Sequence, residues 1–255
     1  MKKNRFGLIG RRLGHSWSQD YFTRKFSDLG LKDYSYKLFE LPSVEELKEW
    51  ALREGLLGFN VTVPYKVEII PQLDALDEVA TAVGAVNCVT IESGCLIGHN
   101  TDAPAFRQTL SNCFPKIAEA CVTTFILGTG GAARAVAYAL RQLGIGYAFV
   151  SRYPDLHANA IGYDRMWTET QHAVSLQKSI MIVNATPVGM WPEVEKVPLE
   201  LGIMSGDVLV YDLIYNPSPT RLLREAAERG ANIKDGLEML HLQADLSWEL
   251  FKNRI

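Results

Sequence analysis

A chain of 255 residues is too long for a disulfide-stapled miniprotein and long enough for two modest domains or one large α/β unit. Its 47% hydrophobic and 22% charged residues supply a core, which excludes the disordered and fibrous classes. The 26 basic and 29 acidic side chains leave a formal charge of −3, too balanced for nucleic acid or an anionic membrane as the main partner.

In chain order, residues 6–9 read as a short strand and residues 18–29 as a helix, which makes a βα unit. Residues 34–39 alternate like a strand. Ser43-Val-Glu-Glu46 has the form of a capping box and predicts a helix that stops at Gly55. A third strand is expected over 57–63, ending at Pro64, then a helix over 74–82 and two strands, 85–91 and 95–98, around Ser93-Gly94. This part reads as a mixed sheet with helices. A helix from Asp102 to about Asn112, with Pro104 in its first turn, leads to a new strand at 122–127. The helix at 133–143, the strands at 147–150, 180–183 and 208–213 and the helix at 220–229 form the alternation of a parallel, doubly wound sheet. The amphipathic stretch 237–251 is expected to return to the first domain. The predicted fold is therefore α/β, with one domain made of residues 1–103 and 237–255 and a Rossmann-like domain at 104–236.

The cysteines Cys88, Cys95, Cys113 and Cys121 contain no C-x-x-C pair and no zinc spacing, so they read as reduced, half-buried thiols with no metal. The basic start Met1-Lys2-Lys3 is followed by an apolar stretch that Arg11 and Arg12 cut short, unlike a signal peptide. The most apolar region, 122–140, is broken by Thr123, Thr124, its glycines and Arg134, short of the ~20 apolar residues of a membrane span. A soluble, cytoplasmic protein is expected.

Gly128-Thr129-Gly130-Gly131-Ala132-Ala133 follows a predicted strand and opens a helix with the apolar stripe Ala133, Val136, Ala137 and Leu140. In that context G-x-G-x-x-G/A lets the backbone approach a pyrophosphate, and the helix start offers it free N–H groups and a positive dipole end. After the next strand stands Ser151-Arg152-Tyr153, a cation where an NAD enzyme usually carries an acid for the ribose hydroxyls. A guanidinium suits the 2′-phosphate of NADP. Read singly, Lys66 is a solvated lysine beyond a strand end, and Thr101 or Asp102 is a helix cap. Gln243 lies in an apolar stripe with Met239, Leu240, Leu246 and Leu250, and its amide needs either backbone partners or a polyhydroxylated ligand. Ser16 and Ser18 flank Trp17, and either they bind a carboxylate or one of them caps a helix.

In order, Gly14-His-Ser16-Trp-Ser18, Gly58-Phe-Asn60-Val-Thr62-Val-Pro-Tyr-Lys66, Gly84-Ala-Val-Asn87 and Gly98-His-Asn100-Thr-Asp102 resemble the shikimate dehydrogenase family. So do Gly128-Thr-Gly-Gly-Ala-Ala-Arg134, Asn184-Ala-Thr-Pro-Val-Gly-Met190, Tyr211-Asp-Leu-Ile-Tyr-Asn-Pro217 and Gly236-Leu-Glu-Met-Leu-His-Leu-Gln243. The resemblance spans nearly the whole chain. It implies a substrate domain and an NADP domain, with NADP-dependent interconversion of 3-dehydroshikimate and shikimate. Lys66 and Asp102 then look like the catalytic pair, Ser16 and Ser18 like carboxylate binders, and Thr62, Asn87 and Gln243 like hydroxyl binders. Tyr215 resembles a residue that closes over the substrate. Gly128, Gly130, Gly131, Ala132, Ala133, Ser151, Arg152, Thr186 and Gly236 resemble cofactor contacts. The chain departs from the family pattern at Arg12 and Gln19 around the serines, at Phe22-Thr23, Cys88 and Ala105, and at Ser151 and Tyr153. The alternatives are a quinate/shikimate dehydrogenase using NAD or NADP and a non-catalytic NADP-binding regulatory protein. The expected state is a monomer or homodimer.

Overall fold

A computed structural model describes residues 4–14, 16–115, 122–175, 179–201 and 208–253. His15, Cys121 and the lysines at the start lie outside the described residues. The chain divides into two compact units, one running to Thr101 and resuming at Gln243, the other spanning Asp102–Leu242.

The first unit carries β1 (Asn4–Gly10), α1 (Trp17–Asp28), β2 (Tyr34–Glu40), α2 (Leu47–Glu54), β3 (Leu56–Val61) and α3 (Tyr65–Glu68). It continues with β4 (Ala75–Leu76), α4 (Glu78–Val83), β5 (Cys88–Glu92) and β6 (Cys95–His99). The six strands form one mixed sheet in the order β2-β1-β3-β5-β6-β4. Strand β1 pairs parallel with β2 and β3, while β5 pairs antiparallel with β3 and β6. Successive side chains of β1 alternate between faces. Ile9 joins a cluster with Leu47, Phe59, Val61, Tyr65 and Leu96. Phe6 and Leu8 join another with Phe22, Phe26, Tyr36, Trp248 and Phe251. Both faces of the sheet are thereby covered.

The second unit carries α5 (Asp102–Cys113), β7 (Val122–Leu127), α6 (Gly131–Gln142), β8 (Tyr147–Val150), β9 (Ala160–Ile161) and α7 (Tyr163–Ser175). Strand β10 (Ser179–Asn184), strand β11 (Val208–Asp212), α8 (Arg221–Glu228) and β12 (Asn232–Lys234) follow. The division between the units falls within the last helix, α9 (Leu237–Lys252). The strands lie in the order β12-β11-β10-β7-β8-β9, all parallel. This is the doubly wound order, with its reversal between β7 and β10. Phe125, Leu127, Ile180, Ile182, Val208 and Val210 line one core, which Met166, Leu222 and Leu223 cover.

Several sequence expectations are corrected. Ser43 and Glu46 form no capping box: the Ser43 hydroxyl accepts from the Glu45 N–H at 3.3 Å, and Glu46 is left-handed at φ 56°, so the helix begins only at Leu47. It ends at Gly55 as expected, in a left-handed C-cap. The helix expected from residue 74 starts later, because Ala75–Leu76 pairs with β6 and Asp77 is the N-cap, accepting from the Ala80 N–H at 2.6 Å. The third strand stops at Val61, two residues short of the expected end. Helix α7 and the short edge strands β9 and β12 lie where no element was expected. The cysteines are not uniformly half-buried, since Cys88 is buried, Cys95 exposed and Cys113 intermediate.

Candidate functional site

In the first unit the polar candidates gather around the C-terminal ends of β1 and β3. The loop after β1 is held by Glu40, whose carboxylate accepts from the Leu13 N–H at 2.7 Å. Ser16 follows at the N-cap position of α1 but makes no side-chain capping bond, and Ser18 lies in the first turn. Both serines are half-buried, and the Ser16 hydroxyl is not spent as a cap. Gly10 allows this loop to approach the segment after β3, since a Cβ there would lie 2.8 Å from the Thr62 methyl. Thr62 accepts from the Tyr65 N–H at 2.9 Å and starts the single turn of α3. Lys66 is half-buried on that turn, and its carbonyl accepts from the Val86 N–H at 2.7 Å. That bond joins Lys66 to the residue before Asn87.

Asn87 is 2% exposed and fixed by Thr101. Its side-chain oxygen accepts from the Thr101 N–H at 2.7 Å, and its amide donates to Thr101 Oγ1 at 2.8 Å. Behind it a buried polar network extends to the last helix. Tyr36 OH donates to Asn60 Oδ1 at 2.9 Å, and Asn60 Nδ2 donates to Ser247 Oγ at 2.8 Å. Ser247 donates to the Gln243 carbonyl at 2.8 Å and lies 3.3 Å from Thr101 Oγ1. Buried polar groups of this kind set one arrangement when all are paired. His99, the last residue of β6, is held between Asp77 and Thr90 at 2.9 Å each. Gln243 itself is half-buried rather than enclosed, and Leu246 and Leu250 are half-buried too. The buried face of α9 runs through Met239, Ala244, Ser247, Trp248 and Phe251.

In the second unit Asp102 opens α5 and is 5% exposed. Gly128 follows β7 at φ 99°, a conformation that favours glycine, and its N–H bonds the Val150 carbonyl at 2.9 Å. A Cβ on Gly128 would lie 3.1 Å from the Thr186 methyl, so the loops after β7 and β10 converge at the point where the strand order reverses. Gly130 caps α6 with open space where a side chain would be, Gly131 and Ala132 begin the helix, and Ala133 packs inward. Thr186 is held by Asn184, whose Oδ1 accepts from its N–H at 3.0 Å and its hydroxyl at 2.7 Å. Ser151 accepts from the Tyr153 N–H at 3.0 Å, which turns the chain so that Arg152 and Tyr153 are exposed. The Arg152 guanidinium carbon lies 5.9 Å from the Tyr153 ring centre.

Asn184 also donates to Asp212 at 2.9 Å. Asp212 is fully buried; desolvation pushes its pKa up to about 6 against the donors Thr220, Ile214 N–H and Asn184. Tyr215 is half-buried, and burial raises its phenol above the ordinary value. Gly236 permits a close backbone approach, because a Cβ there would lie 2.0 Å from the Leu213 carbonyl oxygen.

Crevices at the strand-order reversal of doubly wound sheets hold nucleotides. The positive φ of Gly128, the open Gly130 cap and the start of α6 fit a pyrophosphate there. Residues 8–89 match the family model described as shikimate dehydrogenase substrate binding domain. A Bacillus cereus protein named shikimate dehydrogenase (NADP(+)) is 35% identical, with 99% of this chain and 94% of that protein covered. The chain belongs to the shikimate dehydrogenase family. Its fold is that of this family: the crystal structure of shikimate dehydrogenase 1 from Peptoclostridium difficile superposes with a TM-score of 0.86 at 35% identity, covering 98% and 92% of the two chains. The Thermus thermophilus shikimate 5-dehydrogenase, solved in complex with NADP(H) and shikimate, is 31% identical, with a TM-score of 0.78 and 98% and 94% covered.

The sequence assigns no role to Asn60 or Ser247 and reads Thr101 or Asp102 as a helix cap, whereas Thr101 also clamps Asn87. Thr101 and Asn60 lie within the Gly98-to-Asp102 and Gly58-to-Lys66 motifs. The signal for Ser247 was its position one turn after Gln243 on a helix face otherwise apolar. Among the described residues no helix is long and apolar enough to cross a membrane.

Proposed function

We propose that this chain catalyses the reversible, NADP-dependent reduction of 3-dehydroshikimate to shikimate, a step of aromatic amino acid biosynthesis. The observation that carries the reading is family relation over nearly the whole chain, with the lysine and aspartate of the Asn60-to-Lys66 and Asn100-to-Asp102 motifs both present. NADPH supplies the hydride for the ketone, and NADP accepts it in the reverse direction.

The remaining work falls to side chains of the protein. As hydride reaches the carbonyl carbon, the oxygen gains negative charge, and a cation that gives it a proton stabilises the transition state more than the ketone. Lys66 is assigned that proton transfer and Asp102 its orientation. Ser16 and Ser18 donate to the substrate carboxylate, a role supported by the absence of a capping bond at Ser16. Thr62, Asn87 and Gln243 bind ring hydroxyls. The Thr101 clamp on Asn87 supports this assignment because it fixes which end of the amide is the donor. Tyr215 closes over the ring.

On the cofactor side, Gly128, Gly130, Gly131, Ala132 and Ala133 hold the pyrophosphate, Ser151 and Arg152 the 2′-phosphate, and Thr186 and Gly236 the nicotinamide end. The domain assignment in this reading is substrate binding by residues 1–103 with 237–255 and NADP binding by 104–236. It also places the enzyme in the cytoplasm, acting on a dissolved small molecule as a monomer or homodimer.

The test is spectrophotometric, at about 340 nm, the reduced nicotinamide band, with shikimate and quinate each crossed with NADP and NAD. The expected result is turnover greatest with shikimate and NADP. Turnover greatest with quinate would reassign the substrate, and NADP binding without turnover of either acid would reduce the chain to a nucleotide-binding protein.

A further inference from the structure

Between Ser151 and Gly162 the chain contains one arginine and no lysine, so Arg152 is the only permanently charged cation on the loop that follows β8. A 2′-phosphate dianion offers three acceptor oxygens, and one exposed guanidinium leaves part of it unmatched. The structure brings a second group to the same place. A 3₁₀ turn at Pro154–Leu156 reverses the loop, and the His157 N–H bonds the Pro154 carbonyl at 3.1 Å. The His157 ring then reaches the glycine-rich turn, with Nε2 3.2 Å from Thr129 Oγ1. Strands β7 and β8 are neighbours in register, Leu127 opposite Val150, so both loops leave the same edge of the sheet. His157 and Thr129 mark one point where they meet, and Ser151 and Arg152 begin the other side.

We propose that His157 is a second determinant of NADP over NAD, donating with Arg152 to the 2′-phosphate while Thr129 positions its ring. The proposal rests on the NADP reading of this unit. With the Thr129 hydroxyl against Nε2, the exposed ring keeps Nδ1 to donate to the phosphate, and the Thr129 contact holds it beside the pyrophosphate turn. Nucleotides with a free 2′-hydroxyl offer it no phosphate at that position, so its effect falls on the 2′-phosphorylated form alone.

Calorimetric titration with adenosine 2′,5′-bisphosphate and with adenosine 5′-monophosphate reads this without turnover. For the wild type, tighter binding of the bisphosphate is expected. His157→Ala should narrow the ratio of the two affinities roughly three- to tenfold, the net worth of one ordinary hydrogen bond at an exposed site, and leave the monophosphate affinity unchanged. Thr129→Val, which keeps the shape of the turn, should narrow it in the same direction by less, and His157→Lys should restore it. Circular dichroism and a thermal melt establish that each variant is folded. An unchanged ratio in folded His157→Ala, or an equal loss for both nucleotides, overturns the proposal and leaves the NADP reading intact. Wild-type protein that binds neither nucleotide overturns both.

Discussion

Removing the Lys66 ammonium tests the chemistry most directly. Lys66→Ala should lower kcat by roughly 10²–10⁴, the usual worth of a positioned acid or base, with NADP affinity nearly unchanged. Asp102→Asn should also lower kcat. Because the two are assigned to one proton transfer, the double variant should lose less than the product of the single losses, and steady-state kinetics with shikimate checks this. A Lys66→Ala enzyme of near-normal kcat would remove the lysine from the mechanism. Ser16→Ala and Ser18→Ala belong to the same scale. Each should raise KM for shikimate by roughly ten- to a hundredfold, since a hydrogen bond to a charged group contributes about 1.5–3 kcal/mol. Ser16 makes no capping bond, so Ser16→Ala should leave the thermal midpoint where it was. These residues were legible in the sequence because short motifs carry them. Ser43 misled for a related reason: its spacing to Glu46 satisfies a capping box, but the hydroxyl turned to the nearer Glu45 N–H and the left-handed Glu46 broke the helix start.

At the scale of elements, strong periodicity decided what could be read. Strand β7 was placed residue for residue, and α6 within two residues, because an apolar run and an Ala-rich stripe leave few alternatives. Helix α7 escaped because its buried positions, Met166, Thr170 and Ala173, include a threonine whose hydroxyl bonds the Met166 carbonyl at 2.8 Å. A polar residue inside the stripe hides the period. Strands β9 and β12 are two and three residues long and have no pattern to find. The network of Tyr36, Asn60, Ser247 and Thr101 joins four separate elements or loops, so no local window contains it. Ser247→Ala should cost about 1–3 kcal/mol, the usual penalty for leaving a buried donor unmatched, here the Asn60 amide. Urea denaturation reads the loss. If the network also sets the Asn87 clamp, KM for shikimate should rise in parallel.

For the molecule as a whole, the buried Asp212 makes stability depend on pH in the sense opposite to that of a salt-bridged carboxylate. Its pKa is about 6 in the fold, against about 3.9 for an ordinary aspartate, so between those values the folded chain holds a proton that the unfolded chain has released. Its contribution is therefore fully present below about pH 4 and is lost as pH rises to about 6, by about 2–3 kcal/mol. Asp212→Asn removes the titration. The stability difference between variant and wild type, measured by urea denaturation from pH 4 to pH 7, should shift by that amount in favour of the variant. A constant difference would mean that Asp212 does not titrate in this window.

The cluster of Phe6, Phe22, Phe26 and Tyr36 is completed by Ala244, Trp248 and Phe251, more than two hundred residues after Phe6. On the ribosome these early rings emerge long before the side chains that cover them. At roughly 5–20 residues per second, the intervening second unit takes on the order of ten seconds to synthesise. During that interval the nascent sheet presents an uncovered aromatic face, a natural target for a chaperone that shields apolar surface. Arrested chains ending near residue 240 should therefore be captured by such a chaperone, and chains extended past Phe251 and clear of the ribosomal tunnel should be released.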